Sequence, residues 1–156
     1  MGFDHVRIPI DEEQMWDEAG NKNEDAFQLL NKAIEWFFDN DLRVIVDLHV
    51  IRSHHFISDD NTLWTDPEEQ EKFWGMWKEL SADLIKYPTG KLAYELMNEA
   101  VADDPEDWNK LIARAVSAIR ELEPQRKIII GSNRWQTAEN FPFLKVPEND
   151  TNIILA

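Results

Sequence analysis

The sequence has no cysteine and few glycines, and both shortages narrow its chemistry. Among its 156 residues there are no cysteines and five glycines. The first absence excludes disulfides, thiol catalysis and cysteine-ligated metals. None of the glycines forms the glycine-rich turn after an early strand that cradles a nucleotide phosphate. A nucleotide-binding function therefore has no support in this sequence.

Basic residues are also in the minority. Lys and Arg number 16 against 31 Asp and Glu, which gives a formal net charge of −15. This balance argues against nucleic acid or an anionic membrane as partner, because phosphate binding needs clustered Lys and Arg. No apolar run approaches the roughly 20 residues that cross a bilayer. A neutral polysaccharide is compatible with the charge, which we attribute chiefly to solubility.

What is present indicates one folded domain over residues 1–156, with strands alternating with helices. Seven tryptophans and a hydrophobic share of 43% argue against disorder. Short β-branched runs predict five strands, at 6–10, 44–48, 92–97, 128–132 and 153–156. Apolar periodicity predicts helices over 25–40, after Asp66, after Asp104 and over 137–144, the last broken near Pro142. The acidic stretch 11–25 is most simply a solvated loop.

Strand–helix alternation predicts a parallel sheet, for which two architectures fit. One is an open, doubly wound sheet of five strands. The other is part of a (β/α)8 barrel, since 156 residues are about five-eighths of the roughly 250 in a whole barrel. Both place function at the carboxyl ends of the strands. Those positions hold Arg7 with Pro9, His49, Asn98 with Glu99, and Asn133 with Trp135.

Four separated motifs resemble glycoside hydrolase family 5, the cellulase family of (β/α)8 barrels. They are Val6-Arg7-Ile8-Pro9, Val46-Asp47-Leu48-His49, Tyr94-Glu95-Leu96-Met97-Asn98-Glu99 and the run from Ile128 to Trp135. The resemblance implies a partial (β/α)8 TIM barrel with about five parallel strands, equivalent to strands two to six of the family. It further implies a retaining endo-β-1,4-glucanase-like hydrolase that acts on β-glucan without a cofactor. Members of the family are usually secreted.

The same resemblance suggests roles for individual residues. Glu99 corresponds to the general acid/base, and Asn98 to the residue that hydrogen-bonds the sugar 2-hydroxyl. Arg7 corresponds to the arginine that holds the nucleophile's carboxylate, and His49 to a histidine lining the −1 subsite. Trp135 corresponds to an aromatic residue beside the cleft. The family's nucleophile, a glutamate on its seventh strand, has no counterpart here, so we expect half of a catalytic dyad.

Other residues on the functional face suggest substrate binding by position alone. Trp64 and Trp135 follow strands, where a flat ring can stack on a pyranose, and Asn133 lies beside Trp135. His54 and His55 are expected to line the cleft, although a plain surface loop is nearly as good an interpretation. Together with His49 they suggest zinc, but they lack a helical His-x3-His frame, and we expect no metal site.

An open arc of a barrel has two sheet edges, which are templates for pairing with another chain. We therefore expect a homo-oligomer, with the activity of this chain dependent on assembly that supplies a second carboxylate. The alternative is a non-catalytic carbohydrate-binding or folding fragment of such a barrel. A third interpretation is an unrelated open α/β binding domain, with helices on both faces of its sheet.

Overall fold

A computed structural model describes residues 2–156, which contain one five-stranded sheet and four right-handed α-helices. The strands are β1 (His5–Asp11), β2 (Arg43–Val50), β3 (Leu92–Glu95), β4 (Lys127–Ile130) and β5 (Ile153–Leu155). The helices are α1 (Glu12–Met15), α2 (Glu24–Asp39), α3 (Pro67–Leu84) and α4 (Pro105–Leu122). Two 3-10 segments, Thr62–Trp64 and Ala138–Phe143, lie in the connections.

The order of the strands distinguishes between the two candidate architectures. All neighbouring strands are parallel, and their order in the sheet is β1-β2-β3-β4-β5, the same as along the chain. Right-handed crossovers that always advance in one direction keep the helices on one face of the sheet. A doubly wound sheet would instead reverse its order at a switch point. The sheet is therefore an arc of a (β/α)8 barrel, with one face packed on helices and the other facing the barrel interior.

The three long helices begin where short polar side chains satisfy free backbone N–H groups. The side chain of Asn23 accepts from the Ala26 N–H at the start of α2. Asp66 and Asp104 do the same at α3 and α4, each followed by a proline at the first helical position. The two helix starts predicted from Asp66 and Asp104 are thus confirmed.

The core lies between the sheet and its helices. The residues of β2 show how the side chains of a strand are divided between the two faces of the sheet. Val44, Val46 and Leu48 alternate along the strand and are almost completely buried within the hydrophobic core. Asp47 and His49 lie on the opposite, concave face, because side chains alternate across a strand. The parallel register places Asp47 beside Glu95 of β3, and Glu95 beside Ile129 of β4. The charged groups of the concave face therefore form one layer across the strands.

Three predicted elements differ from the structure. The third strand ends at Glu95 rather than at residue 97, and the segment 137–144 is a 3-10 helix because Pro142 cannot continue an α-helix. The acidic stretch 11–25 is not wholly a solvated loop. It contains α1, and Glu12 is buried, where its carboxylate accepts hydrogen bonds from the backbone and guanidinium of Arg52. Across residues 2–156, no helix combines the length and apolar character needed to span a membrane.

Candidate active site

Arg7 lies at the centre of the charged layer on the concave face. Its guanidinium Nε and Nη2 donate to the two carboxylate oxygens of Glu95, at 2.6 and 3.0 Å. The same Nη2 lies 2.9 Å from Asp47 Oδ2 and 2.9 Å from the amide oxygen of Asn98. A planar guanidinium suits this arrangement because its N–H groups form a fixed fork. Arg7 thus joins β1, β2 and the residues that follow β3.

Asp47 is the most deeply buried member of the layer, with a side chain that is 0% exposed. Its Oδ2 lies 2.7 Å from Nδ1 of His49, while Oδ1 is buried without a hydrogen-bond partner. Burial raises the pKa of Asp47 to about 6, and the charge of Glu95 adds to the rise. The hydrogen bond to His49 and the positive charge of Arg7 act in the opposite direction.

Asn98 and Glu99 follow β3 directly and lie at the same end of the sheet as His49. Asn98 is buried, and its backbone N–H donates to the carbonyl oxygen of Leu48 at 3.2 Å. Glu99 is half-buried and has a φ of 45°, in the left-handed region that few non-glycine residues adopt. Strained backbone of this kind is concentrated at functional sites. Burial by itself lowers the pKa of Arg7, but the Glu95 hydrogen bond and nearby carboxylate charges, Glu99 among them, raise it.

A left-handed turn follows β4 and brings an aromatic ring beside these residues. Arg134, Trp135 and Gln136 all have positive φ, between 56° and 60°. Trp135 is 49% exposed, and its indole N–H donates to the carbonyl oxygen of Phe56 at 2.8 Å. Gln136 points towards the charged layer and donates to Glu95 at 3.3 Å. The turn therefore positions an accessible ring beside the cleft and an amide on the carboxylate that binds Arg7.

The loop after β2 places its two histidines differently. His54 is only 1% exposed, and its Nε2 accepts from the backbone N–H of Val101 at 3.3 Å. Burial lowers its pKa to about 4, with a further contribution from the charge of His55. The ring of His55 stacks on Phe56. His54 in this position has no free surface for a ligand, so its contacts are those of a residue that holds the loop.

The other predicted binding residues, Trp64 and Asn133, are also largely enclosed. Trp64 is half-buried, with its ring packed edge-on against His54 and against Trp108. Asn133 is buried, and its amide exchanges two hydrogen bonds of 2.8 Å with the backbone of Ala102. These bonds use the side chain of Asn133 to join the loops after β3 and β4.

A cavity of about 260 Å³ opens beside Trp135 on this end of the sheet. It is lined by the aromatic side chains of Trp64, Trp135 and Phe56 and by charged side chains that include Asp103 and Arg134. Arg134 donates to Asp103 at 3.1 Å across it. An aromatic wall with polar groups is the composition expected of a site for sugar rings, which have apolar faces and hydroxyl edges.

Metal binding has no geometric support within the described part of the chain. In residues 2–156, no three His, Asp or Glu side chains converge in a metal-binding arrangement. His49 is directed at Asp47, whereas His54 is enclosed by the loop.

Two site residues were not singled out from sequence, Glu95 as a partner of Arg7 and Gln136 as a partner of Glu95. A signal for Glu95 was available, because a carboxylate in a strand that is otherwise apolar must be paired if it is buried. Its partner could not be read from the sequence, since Arg7 is 88 residues away. Gln136 carried no comparable signal.

Comparison with known proteins agrees with the fold described above. The family model described as cellulase, glycosyl hydrolase family 5, matches residues 1–156. Endoglucanase C of Acetivibrio thermocellus is 32% identical over 152 residues, which are 96% of this chain and 44% of that protein. Cellodextrinase A of Ruminococcus flavefaciens is 31% identical over 153 residues, covering 96% of this chain and 45% of the relative. The chain thus spans less than half the length of these curated relatives.

Solved structures show the same fold at the same partial coverage. The Clostridial cellulose synthase subunit Z of Clostridioides difficile has a TM-score of 0.84 at 30% identity, covering 99% of this chain and 48% of that one. Thermotoga maritima Cel5A in complex with cellobiose has a TM-score of 0.83 at 29% identity, with coverage of 99% and 48%. The fold described above therefore matches about half of each of these solved structures.

Proposed function

This chain belongs to the cellulase family, glycosyl hydrolase family 5, and from that premise we propose that it carries the acid/base half of a retaining endo-β-1,4-glucanase site. The observation that supports this most directly is that Arg7, on β1, reaches across β2 to Asn98, with the charge of Glu99 close by, where β3 ends. Active sites of (β/α)8 barrels lie at that end. Relatives named endoglucanase and cellodextrinase point to β-1,4-linked glucan as the substrate class.

In this proposal Glu99 protonates the glycosidic oxygen as the leaving group departs. Asn98 hydrogen-bonds the 2-hydroxyl of the sugar, where such contacts strengthen in the transition state. His49 lines the same subsite, and Trp135 stacks on a neighbouring pyranose. We assign His55 a contact with substrate as well. Its ring stacks on Phe56, whose carbonyl oxygen accepts the hydrogen bond from the indole of Trp135.

The second carboxylate is the open part of the mechanism. A retaining glycosidase needs two carboxyl groups about 5–5.5 Å apart, one of which attacks the anomeric carbon. Asp47 and Glu95 lie on this face, but both are buried and both contact Arg7. Neither can approach a sugar without breaking those contacts. We propose that hydrolysis by this chain depends on assembly with a second subunit that supplies the missing carboxylate.

The edges of the sheet support homo-oligomerisation as one form of that assembly. β1 and β5 are the edge strands, and Ile154 and Leu155 of β5 are about half exposed. Exposed apolar edge residues are a template for strand pairing. Light scattering after size-exclusion chromatography should show an oligomer at micromolar concentration. Ile154→Lys should shift it towards monomer, whereas Leu29→Lys, at an exposed apolar position on α2, should not; a monomeric wild type would contradict the proposal.

Hydrolysis of carboxymethylcellulose or an aryl cellobioside tests the catalytic assignment. In the assembled protein, Glu99→Gln should lower the rate by about 100-fold or more, the usual contribution of a general acid. Glu121→Gln, which changes an exposed carboxylate on α4, is the matched control and should keep the wild-type rate. Hydrolysis that Glu99→Gln leaves unaffected would refute Glu99 as the acid.

The burial of Asp47 and Glu95 also favours a second candidate, a non-catalytic domain that binds β-glucan oligosaccharides. Trp135 beside the 260 Å³ cavity would then supply weak stacking without turnover. Calorimetry with cellotetraose distinguishes the two, because this candidate predicts binding with no reducing ends released. Trp135→Ala should abolish that binding.

A further inference from the structure

Asp47 and His49 form a pair in which only His49 has a role in the function proposed above. They are two residues apart on β2, so both side chains lie on the concave face, with His49 nearer the carboxyl end of the strand. Asp47 Oδ2 and His49 Nδ1 are 2.7 Å apart. The aspartate is fully buried, while the histidine side chain is 29% exposed. The pair therefore has one end in the interior and one end at the cleft.

The two nitrogens of His49 have different surroundings. Nδ1 faces the carboxylate of Asp47, whereas Nε2 makes no hydrogen bond to any group within residues 2–156 and is not enclosed. The ring packs edge-on against Phe56, with centroids 5.9 Å apart, which limits its rotation. A neutral imidazole carries one N–H. The hydrogen-bond partners of the two ring nitrogens determine which nitrogen carries that proton. Here a carboxylate that accepts a hydrogen bond favours the proton on Nδ1.

The charges around Asp47 decide whether it acts as the acceptor. Arg7 from β1 contacts it directly and favours the ionised form, whereas Glu95 from β3 opposes ionisation. Glu99, in the loop after β3, acts on the same Arg7. The pKa of Asp47, about 6, leaves it ionised at pH 8. At that pH its Oδ2 is able only to accept.

We propose that Asp47 is a positioning residue that holds His49 as the Nδ1–H tautomer, so that the bare Nε2 lone pair faces the cleft as a hydrogen-bond acceptor. The ligand chemistry that fits this acceptor is a hydroxyl group of a sugar, and this part rests on the proposed glucan-binding function. Carboxylate–histidine pairs fix ring orientation in the same way where the histidine binds a metal. In this protein Nε2 of His49 would instead accept a hydrogen bond from a hydroxyl group of the ligand.

Nitrogen-15 NMR of the histidine rings tests the tautomer without any need for turnover. The full chain is labelled on histidine, and His49→Gln assigns the signals. At pH 8 the wild type should show a protonated Nδ1 and an unprotonated, pyridine-type Nε2 for His49. A proton on Nε2 in the wild type would overturn the proposal, whether or not the protein hydrolyses any glucan.

Two variants separate positioning of the tautomer from general support of the charged layer. Asp47→Ala removes the acceptor and should move the proton from Nδ1 to Nε2, at least in part. Glu95→Gln removes the other carboxylate on Arg7 but does not touch His49, so the wild-type tautomer should persist. An unchanged tautomer in Asp47→Ala would contradict the proposal, as would an equal change in Glu95→Gln. Adding cellotriose to the wild type should then shift Nε2 in the direction of hydrogen-bond acceptance.

Discussion

Arg7 and Glu95 lie on strands separated by β2, and the guanidinium of one spans that strand to hold both carboxylate oxygens of the other. The bond passes over Asp47, which the same guanidinium contacts at 2.9 Å. One cation thus pairs with two buried carboxylates and links three strands. Because this layer lies directly below Asn98 and Glu99, its stability determines the geometry of the candidate site.

Removing the charge of Arg7 should be costly. Arg7→Met leaves Asp47 and Glu95 as adjacent buried carboxylates without a cation, and we expect the free energy of unfolding to fall by about 2 to 3 kcal/mol. This is below the 3 to 5 kcal/mol typical of a fully buried pair, because about a third of Arg7 is exposed. Urea unfolding measures it. Arg114→Met, at an exposed pair on α4, should change stability by about 0.5 kcal/mol or less.

Acid should destabilise the protein through His54. Its pKa is lowered to about 4 in the folded state, whereas an unfolded histidine titrates near 6.5. The contribution of neutral His54 is therefore fully present above pH 6.5 and is lost as the pH falls towards 4. This contribution amounts to roughly 3 kcal/mol of the free energy of unfolding. His54→Gln should be less stable at pH 7 but should flatten this part of the pH profile; an unchanged slope in urea unfolding would contradict the assignment.

Gly131 should not tolerate a side chain. A Cβ at this position would lie 2.3 Å from Cγ of Gln136, so the whole Gln136 side chain would have to leave Glu95. We expect Gly131→Ala to lower the melting temperature, at a cost of about 1 to 3 kcal/mol for overpacking. Gly75→Ala is the matched control, since Gly75 lies within α3 with open space around its Cβ position. There the substitution should stabilise by roughly 0.5 to 1 kcal/mol.

A second buried cation supports the opposite end of the sheet. Arg126 is completely buried, pairs with Glu123 and donates to the carbonyl oxygens of Leu92 and Tyr87 at 2.9 Å. Arg126→Met removes the cation that pairs with the buried Glu123 and leaves Oε2 of Glu123 and those carbonyls without that donor, so unfolding should become easier by about 3 to 5 kcal/mol. Lys110→Met removes an exposed cation from α4 and should have little effect in the same denaturation assay.

The elements predicted correctly from sequence are those that depend on neighbouring residues. The strands β1, β2 and β4 were found from short β-branched runs, and α3 and α4 from an aspartate followed by proline. These signals are local, because a cap or an apolar strand face is formed by residues close in the chain. The acidic stretch at Glu12 was mispredicted because the burial of Glu12 is not determined by its neighbours in the chain. Its burial depends on Arg52, 40 residues away.

The candidate site shows the same division. The residue types at the strand ends, Asn98 with Glu99 in particular, could be identified because their position follows from strand direction. Which side chains are free to meet a ligand could not be identified. His54 and Asn133 have the composition of binding residues, yet hydrogen bonds to the backbone of neighbouring loops enclose them.

By itself the sequence determined the strand–helix alternation, the absence of thiol chemistry and the set of polar residues at the carboxyl ends of the strands. These follow from local periodicity and from residue type. Tertiary structure alone decided the sequential order of the strands, the pairing of Arg7 with Glu95 and Asp47, and the orientation of His49. These depend on which distant side chains share one face of the sheet, where burial makes each unpaired charge costly. The arc of the barrel therefore places the residues, and the buried ion pairs determine which of them remain available for chemistry.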